Sequence, residues 1–188
     1  NKDGPIVVEV PKGSGPGTVN DAFFRFVIDM GAPGPDKGTG GKYLILPPEY
    51  DGPLQAPIGG KEQDVEVNGS TEKMFVTRSP SYVNWLILRG FLVDGKPDAA
   101  SAMFRNGIKI YPLAKAANPP AMKFFNGSEK PFNTIHANNF EFYNELAHVI
   151  EREPVGLIDP ELRGLFASIG IEKGKKFAPD DRMRKILE

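Results

Sequence analysis

At 188 residues, with 40% hydrophobic and 25% charged side chains, the chain has the composition of a folded protein rather than a disordered one. A formal net charge of −1, with no basic block interleaved with aromatics, argues against a nucleic-acid partner. The lack of cysteine removes disulfides, thiolate metal sites and cysteine nucleophiles, and leaves the redox compartment open.

The opening NKDGPIVVEVP has neither an initiator Met nor the apolar core of a signal peptide. The expectation is a segment of a longer gene product, or a processed one. Within it, Ile6 to Val10 (IVVEV) is a β-branched run between Gly-Pro and Pro-Lys-Gly and reads as a strand. Asn20 is a cap candidate for AFFRFVIDM, Ala22 to Met30. The apolar positions of that run fit neither period well, and its β-branched and aromatic content favours a strand. From Gly31 to Gly60, 14 of 30 residues are Gly or Pro, so loop is expected apart from the strand KYLILP.

Val65 to Val67, then Asn68-Gly69 and KMFVTR, reads as a hairpin closed by a primed turn. VNWLILRGFLVDG follows as one strand, or as two broken at Arg89-Gly90. It is the longest apolar run and falls short of the ~18 residues a membrane helix needs, so no transmembrane segment is expected. Pro97 to Asn106 suits a short helix, and IKIYPL a strand. Beyond Pro131, Phe140, Tyr143, Leu146, Ala147 and Ile150 share one helical face within His136 to Glu153, ended by Pro154. Asp159-Pro160 opens a second helix that stops at Gly170, and Asp180-Asp181 a last one.

The stretch GPDKGTGGKYLILPP resembles a phosphate-holding loop only superficially. The Walker spacing requires Gly where Asp36 stands and Ser or Thr where Tyr43 stands. A phosphate loop also opens a helix, whereas this one leads into a strand. G-x-G-x-x-G fails too, since Tyr43 occupies its third glycine. His136 and His148 lie about 18 Å apart along a helix and cannot share an ion. No metal site is assigned and no cofactor is expected. No G-x-S-x-G surrounds Ser79, Ser81 or Ser101.

Three arginines interrupt apolar runs: Arg25 in FFRFV, Arg78 in FVTRS and Arg89 in LILRGF. A guanidinium there must pair or stay wet, because isolated burial of charge is expensive. Either the three line a cavity and grip an anionic or hydroxylated ligand, or they sit on the outer face of the sheet, or they form structural pairs with Asp29 or Asp94. Trp85, the lone tryptophan, is expected in the core rather than as a stacking platform. PFNTIHANNF places Asn133, Thr134 and His136 at the start of the main helix. There Asn133 or Thr134 is a cap candidate, and Asn133 and His136 are candidates for contact with a ligand.

Seven phrases occur in order: DGPIVVEVP, FFRFVIDMG, GPDKGTGGKYLILPPEY, FVTRSPSYVNWLILRGFLVDGKP, KIYPLAKAANPPAMKFFNG, PFNTIHANNFEFYNEL and DPELRGLFASIGIEKGKKFAPDDRMRKIL. In these the chain resembles the bacterial family known as domain of unknown function 1254, usually fused to a following domain numbered 1214. Leu54 to Lys73 is longer than the family spacing and reads as an inserted hairpin. The resemblance implies a periplasmic or otherwise exported protein longer than this chain, with jelly-roll-like sandwich elements and helical segments. It supplies no settled activity and no catalytic residues.

The expectation is therefore α+β: an antiparallel, jelly-roll-like β-sandwich over residues 1–113 with a hairpin near 54–73, then a mainly helical segment over 114–188. Two functions are open. One is a module that binds a small polar ligand, saccharide or peptide, on a face bearing Arg25, Arg78 and Arg89. The other is a hydrolase with a site between sheet and helix near His136. Sheet edges left exposed by truncation would favour a homo-oligomer.

Overall fold

The run IVVEV forms β1, Ile6–Val10, in a computed structural model that describes residues 2–54 and 56–188. The chain divides into two units, Asn1–Phe125 and Asn126–Glu188. In the first, β1 is followed by β2 (Pro16–Asn20), β3 (Phe26–Gly31), β4 (Gly41–Leu46), β5 (Lys61–Val67), β6 (Ser70–Arg78), β7 (Trp85–Leu88), α1 (Asp98–Gly107) and β8 (Lys109–Pro112). The strands make a five-stranded sheet, β5-β6-β4-β1-β8, and a three-stranded sheet, β3-β2-β7. Among the described residues four α-helices complete the mixed α+β fold.

The larger sheet is covered on both faces, which is why β1 and β4 (GKYLIL) read as nearly unbroken apolar runs. Alternation sends Val8, Val10, Tyr43 and Ile45 toward Val19, Val27, Ile28 and Met30 of the smaller sheet. Val7, Leu44, Leu46, Met74 and Val76 face the other way and pack against Tyr50, Leu54, Ala56, Leu113 and Ala116. Each fully buried aliphatic side chain contributes on the order of 1.5–3 kcal/mol relative to exposure. Gly31, at φ +71, lies where a Cβ would come within 2.1 Å of the Gly15 carbonyl oxygen, so only glycine lets β2 and β3 close at that end.

The β5–β6 hairpin turns at Asn68 and Gly69, with φ of 51° and 80°, the primed turn expected. The pairing of that hairpin departs from the antiparallel expectation: β4 and β6 run parallel, Tyr43 opposite Phe75 and Leu46 opposite Arg78. Of the two hairpin strands, β6 carries the apolar MFV run that can be buried on both faces. Its partner, KEQDVEV, carries four exposed residues and takes the edge, where charge discourages pairing with another chain. Burial thus decides which strand lies inside, and the loop from Pro47 to Gly60 is long enough to carry the chain past.

The AFFRFVIDM run is half strand only: β3 begins at Phe26, and residues 22–25 form a turn. The glycine-rich loop is closed by its own carboxylate. Asp36, 3% exposed, accepts from the Gly40 N–H at 3.2 Å and from the Tyr43 hydroxyl, while Lys42 pairs with Glu72. Burial and the Asp36 carboxylate together hold the Tyr43 phenol far above its ordinary pKa, so it remains a donor.

The second unit holds α2 (Glu141–Arg152), α3 (Pro160–Ser168) and α4 (Asp181–Leu187). Asp159 caps α3 by accepting from the Glu161 N–H at 2.8 Å, with Pro160 at its first position, as the sequence indicates. Asp180 caps α4 through the Met183 N–H. Helix α2 starts later than its periodicity suggests: Asn139 accepts from the Glu141 N–H at 3.0 Å, and Asn133 instead closes a turn onto the Ile135 N–H. Asparagine side chains compete for the local backbone and delay the helix by several residues. Phe140 stacks on Phe177, with the Arg184 guanidinium 4.0 Å above the Phe140 ring.

Candidate functional site

The loop Asn20 to Phe26 joins β2 to β3 and is organised by one carboxylate. Asp21 is 0% exposed; its Oδ1 accepts from the Phe23 and Arg25 N–H groups, at 2.8 and 3.0 Å. Its Oδ2 accepts from Arg25 Nε at 2.6 Å. Asn20 donates from Nδ2 to the Phe24 carbonyl at 2.8 Å, and the Asp21 carbonyl accepts from the Phe24 N–H at 3.0 Å. These bonds hold Phe24 at φ +60, a left-handed conformation that a bulky side chain adopts only under constraint.

The constrained loop shows its apolar side chains to solvent. Phe24 is 63% exposed and its ring lies 4.8 Å from that of Trp85, itself 46% exposed; Phe23 and Phe26 stand exposed beside them. Asn20 links Phe24 and Trp85, since it faces Trp85 across the sheet and donates to the Phe24 carbonyl. Trp85 is thus a surface residue, contrary to the expectation of a core position. At the exposed end of β7 its large faces find an aromatic neighbour without burial.

A second loop braces the first. Ser81, 0% exposed, accepts from the Ala22 N–H at 2.9 Å through its hydroxyl, which in turn donates to the Val83 carbonyl. Asn84 donates to the Ser81 and Tyr82 carbonyls, and among the described residues nothing donates to its shielded Oδ1. The serines at 79 and 81 are therefore brace residues with their oxygens engaged.

The three arginines have separate places. Arg25 belongs to the aromatic loop: its guanidinium sits 5.8 Å from the Phe23 ring and pairs with Asp21, not Asp29. Arg78 ends β6 close by in sequence to the Ser81 brace. It donates to the Pro48 carbonyl at 2.9 Å and lies 5.7 Å from the Tyr50 ring. Arg89 is exposed past the far end of β7, where its backbone pairs with Gly15 and Pro16. Four residues of β2 at ~3.3 Å each separate that end from the aromatic loop.

In the second unit His136 is exposed. Its Nδ1 lies 3.0 Å from the Ala137 carbonyl and its ring meets Phe142 edge-on. Among the described residues no carboxylate or hydroxyl bonds to the imidazole; Glu145 accepts from the Ala137 N–H instead. Asn133 is exposed in its own turn. Neither residue is brought to a nucleophile. Among the described residues no three His, Asp or Glu side chains converge as metal ligands, and no helix is long and apolar enough to cross a membrane.

Of the aromatic-loop residues, Arg25 stands out in the sequence, whereas Asp21, Phe23 and Phe24 do not. The signal was there: an Asn-Asp pair, whose side chains bond to nearby backbone, stands before a run whose period fits neither helix nor strand.

The family model described as a protein of unknown function, DUF1254, matches residues 2–112, which span the β-rich part of the chain. The chain belongs to the DUF1254 family. The aromatic loop and its brace lie wholly inside the matched region. The DUF1254 chain is similar in fold to the VPA0106 protein from Vibrio parahaemolyticus, with a TM-score of 0.60 at 16% identity. The match covers 98% of this chain and 42% of that one, so the chain spans less than half the neighbour's length. No curated protein sequence matches it significantly.

Proposed function

We propose that the first unit is a non-catalytic module that binds a saccharide on the aromatic loop. Phe24 and Trp85 supply the platform, and the Arg25 Nη groups supply hydrogen bonds to hydroxyls. The observation that carries this reading is the constrained display of Phe24. A buried carboxylate, 0% exposed, fixes a left-handed phenylalanine outward against the one tryptophan. Aromatic faces receive the C–H face of a sugar ring, while planar guanidinium donors suit its hydroxyls. Pre-ordering the loop lowers the cost of immobilising it on binding. A polar extended peptide is the weaker reading, because the aromatic loop offers a flat face rather than an unpaired strand edge.

The module is read as part of a jelly-roll-like sandwich in an exported protein, where free and polymeric saccharides are abundant. Fractionation of cells producing the full-length gene product tests that location, and a strictly cytosolic distribution contradicts it. Binding itself is tested on an immobilised glycan panel, followed by calorimetry of the best ligand against Phe24→Ala, Trp85→Ala and Arg89→Ala. The first two weaken binding at least tenfold and Arg89→Ala leaves it within twofold. Equal loss in all three, or no glycan bound, overturns the proposal.

A further inference from the structure

The second unit contains a cleft of about 410 Å³, within the range of small-ligand pockets, between the end of α2 and α3. Ile150, Val155, Ile158, Phe166, Ala167 and Ile171 give it mainly apolar walls. Four charged residues also line it, and three of them have partners of their own. Glu153 is 2% exposed and held in an interaction of its own. Glu172 accepts from Lys175 at 2.7 Å, and Lys173 donates from Nζ to the Glu151 carbonyl. Arg163 is left. Its Nε is shielded from solvent and, among the described residues, meets no acceptor.

A shielded guanidinium N–H without an acceptor is unfavourable by itself, and an anion that brings its own hydrocarbon would satisfy both the arginine and the walls. We infer that this cleft binds a monoanionic amphiphile, a carboxylate on a linear hydrocarbon chain. The carboxylate meets Arg163 and the chain lies along Ile158, Phe166 and Ile171. Exposed Glu151 and Glu161 on the neighbouring helices exclude nothing of this kind, since one bonds to the Gly174 N–H and the other opens α3 in its first turn. This site is independent of the saccharide face, which lies in the other unit.

The test uses the whole chain and two probes with the same tail and opposite heads: decanoate and decyltrimethylammonium, both below micelle-forming concentrations. Calorimetry at neutral pH should give saturable decanoate binding near one per chain, with the cationic probe at least tenfold weaker. Arg163→Gln should weaken decanoate at least fivefold while leaving the cationic probe unchanged, and Ala167→Trp, which fills the cleft, should abolish decanoate binding. Equal affinity for the two heads in the unmutated chain overturns the inference, whether or not either variant folds. So does decanoate binding at many sites per chain, or binding indifferent to Arg163→Gln.

Discussion

Asp21 accepts three hydrogen bonds while fully withdrawn from water, so its removal takes the acceptor from two backbone N–H groups, while the exposed Arg25 guanidinium turns to water. Asp21→Ala should destabilise the first unit by about 2–4 kcal/mol in urea titration. Asp21→Asn, which keeps an acceptor in place, should cost less than half of that. Phe24 separates stability from display. Its left-handed backbone is strained for a phenylalanine and natural for glycine, so Phe24→Gly trades lost ring stacking against relieved strain. Unfolding free energy should stay within about 1 kcal/mol of the parent while saccharide affinity falls at least tenfold. A large loss of stability with binding retained would make Phe24 a folding residue instead. This residue is hidden in the sequence because a phenylalanine within FFRFV reads as core, and only the Asp21 bonds reverse its direction.

Among the elements, local chemistry was legible and pairing was not. Asn68-Gly69 declared its turn because both residues tolerate positive φ, and Asp159-Pro160 declared its helix start because cap and first-turn needs are local. The parallel β4–β6 pair could not be read, since it depends on which hairpin strand is the more apolar across a long loop. The cap of α2 was misplaced because several asparagines compete for one helix start. At Gly69 nothing lies within 4 Å of an added Cβ, so Gly69→Ala isolates the conformational cost of φ +80. It should destabilise by about 1 kcal/mol with no change in the slope of the urea transition.

The β1–β8 pair carries a pH signature. Burial acts to raise the Glu9 pKa, but hydrogen bonds from the Tyr111 hydroxyl and Lys109, with the Lys109 and Lys42 charges, outweigh it and hold the carboxyl below its ordinary value. Burial, with the hydrogen bond to the Glu9 carboxylate and its charge, keeps the Tyr111 phenol protonated well above its usual range. With a folded pKa below the unfolded one, Glu9 contributes stability above the ordinary glutamate range. That contribution disappears as pH falls through the lowered folded value. Urea midpoints measured from neutral pH down to about pH 3 should fall less steeply in Glu9→Gln than in the parent. Parallel curves would remove Glu9 from the acid response.

At the scale of the molecule, one sheet buried on both faces forms the frame, and the smaller sheet adds one covered face and one loop end that is free to display aromatics. Fold class followed from the order of strands before helices. The site did not, because aromatic residues serve equally in a core and on a platform, and only the register Asn20–Trp85 with the Asp21 clamp tells which. Trp85, the single tryptophan, stands at the centre of the proposed face, so its emission reports that face alone. The most direct measurement is tryptophan fluorescence of the whole chain during titration with the glycan selected on the panel. A saturable change in Trp85 emission is expected, with the same midpoint as calorimetric binding and lost in Phe24→Ala. Glycan binding that leaves Trp85 emission unchanged would place the ligand elsewhere and contradict the claim.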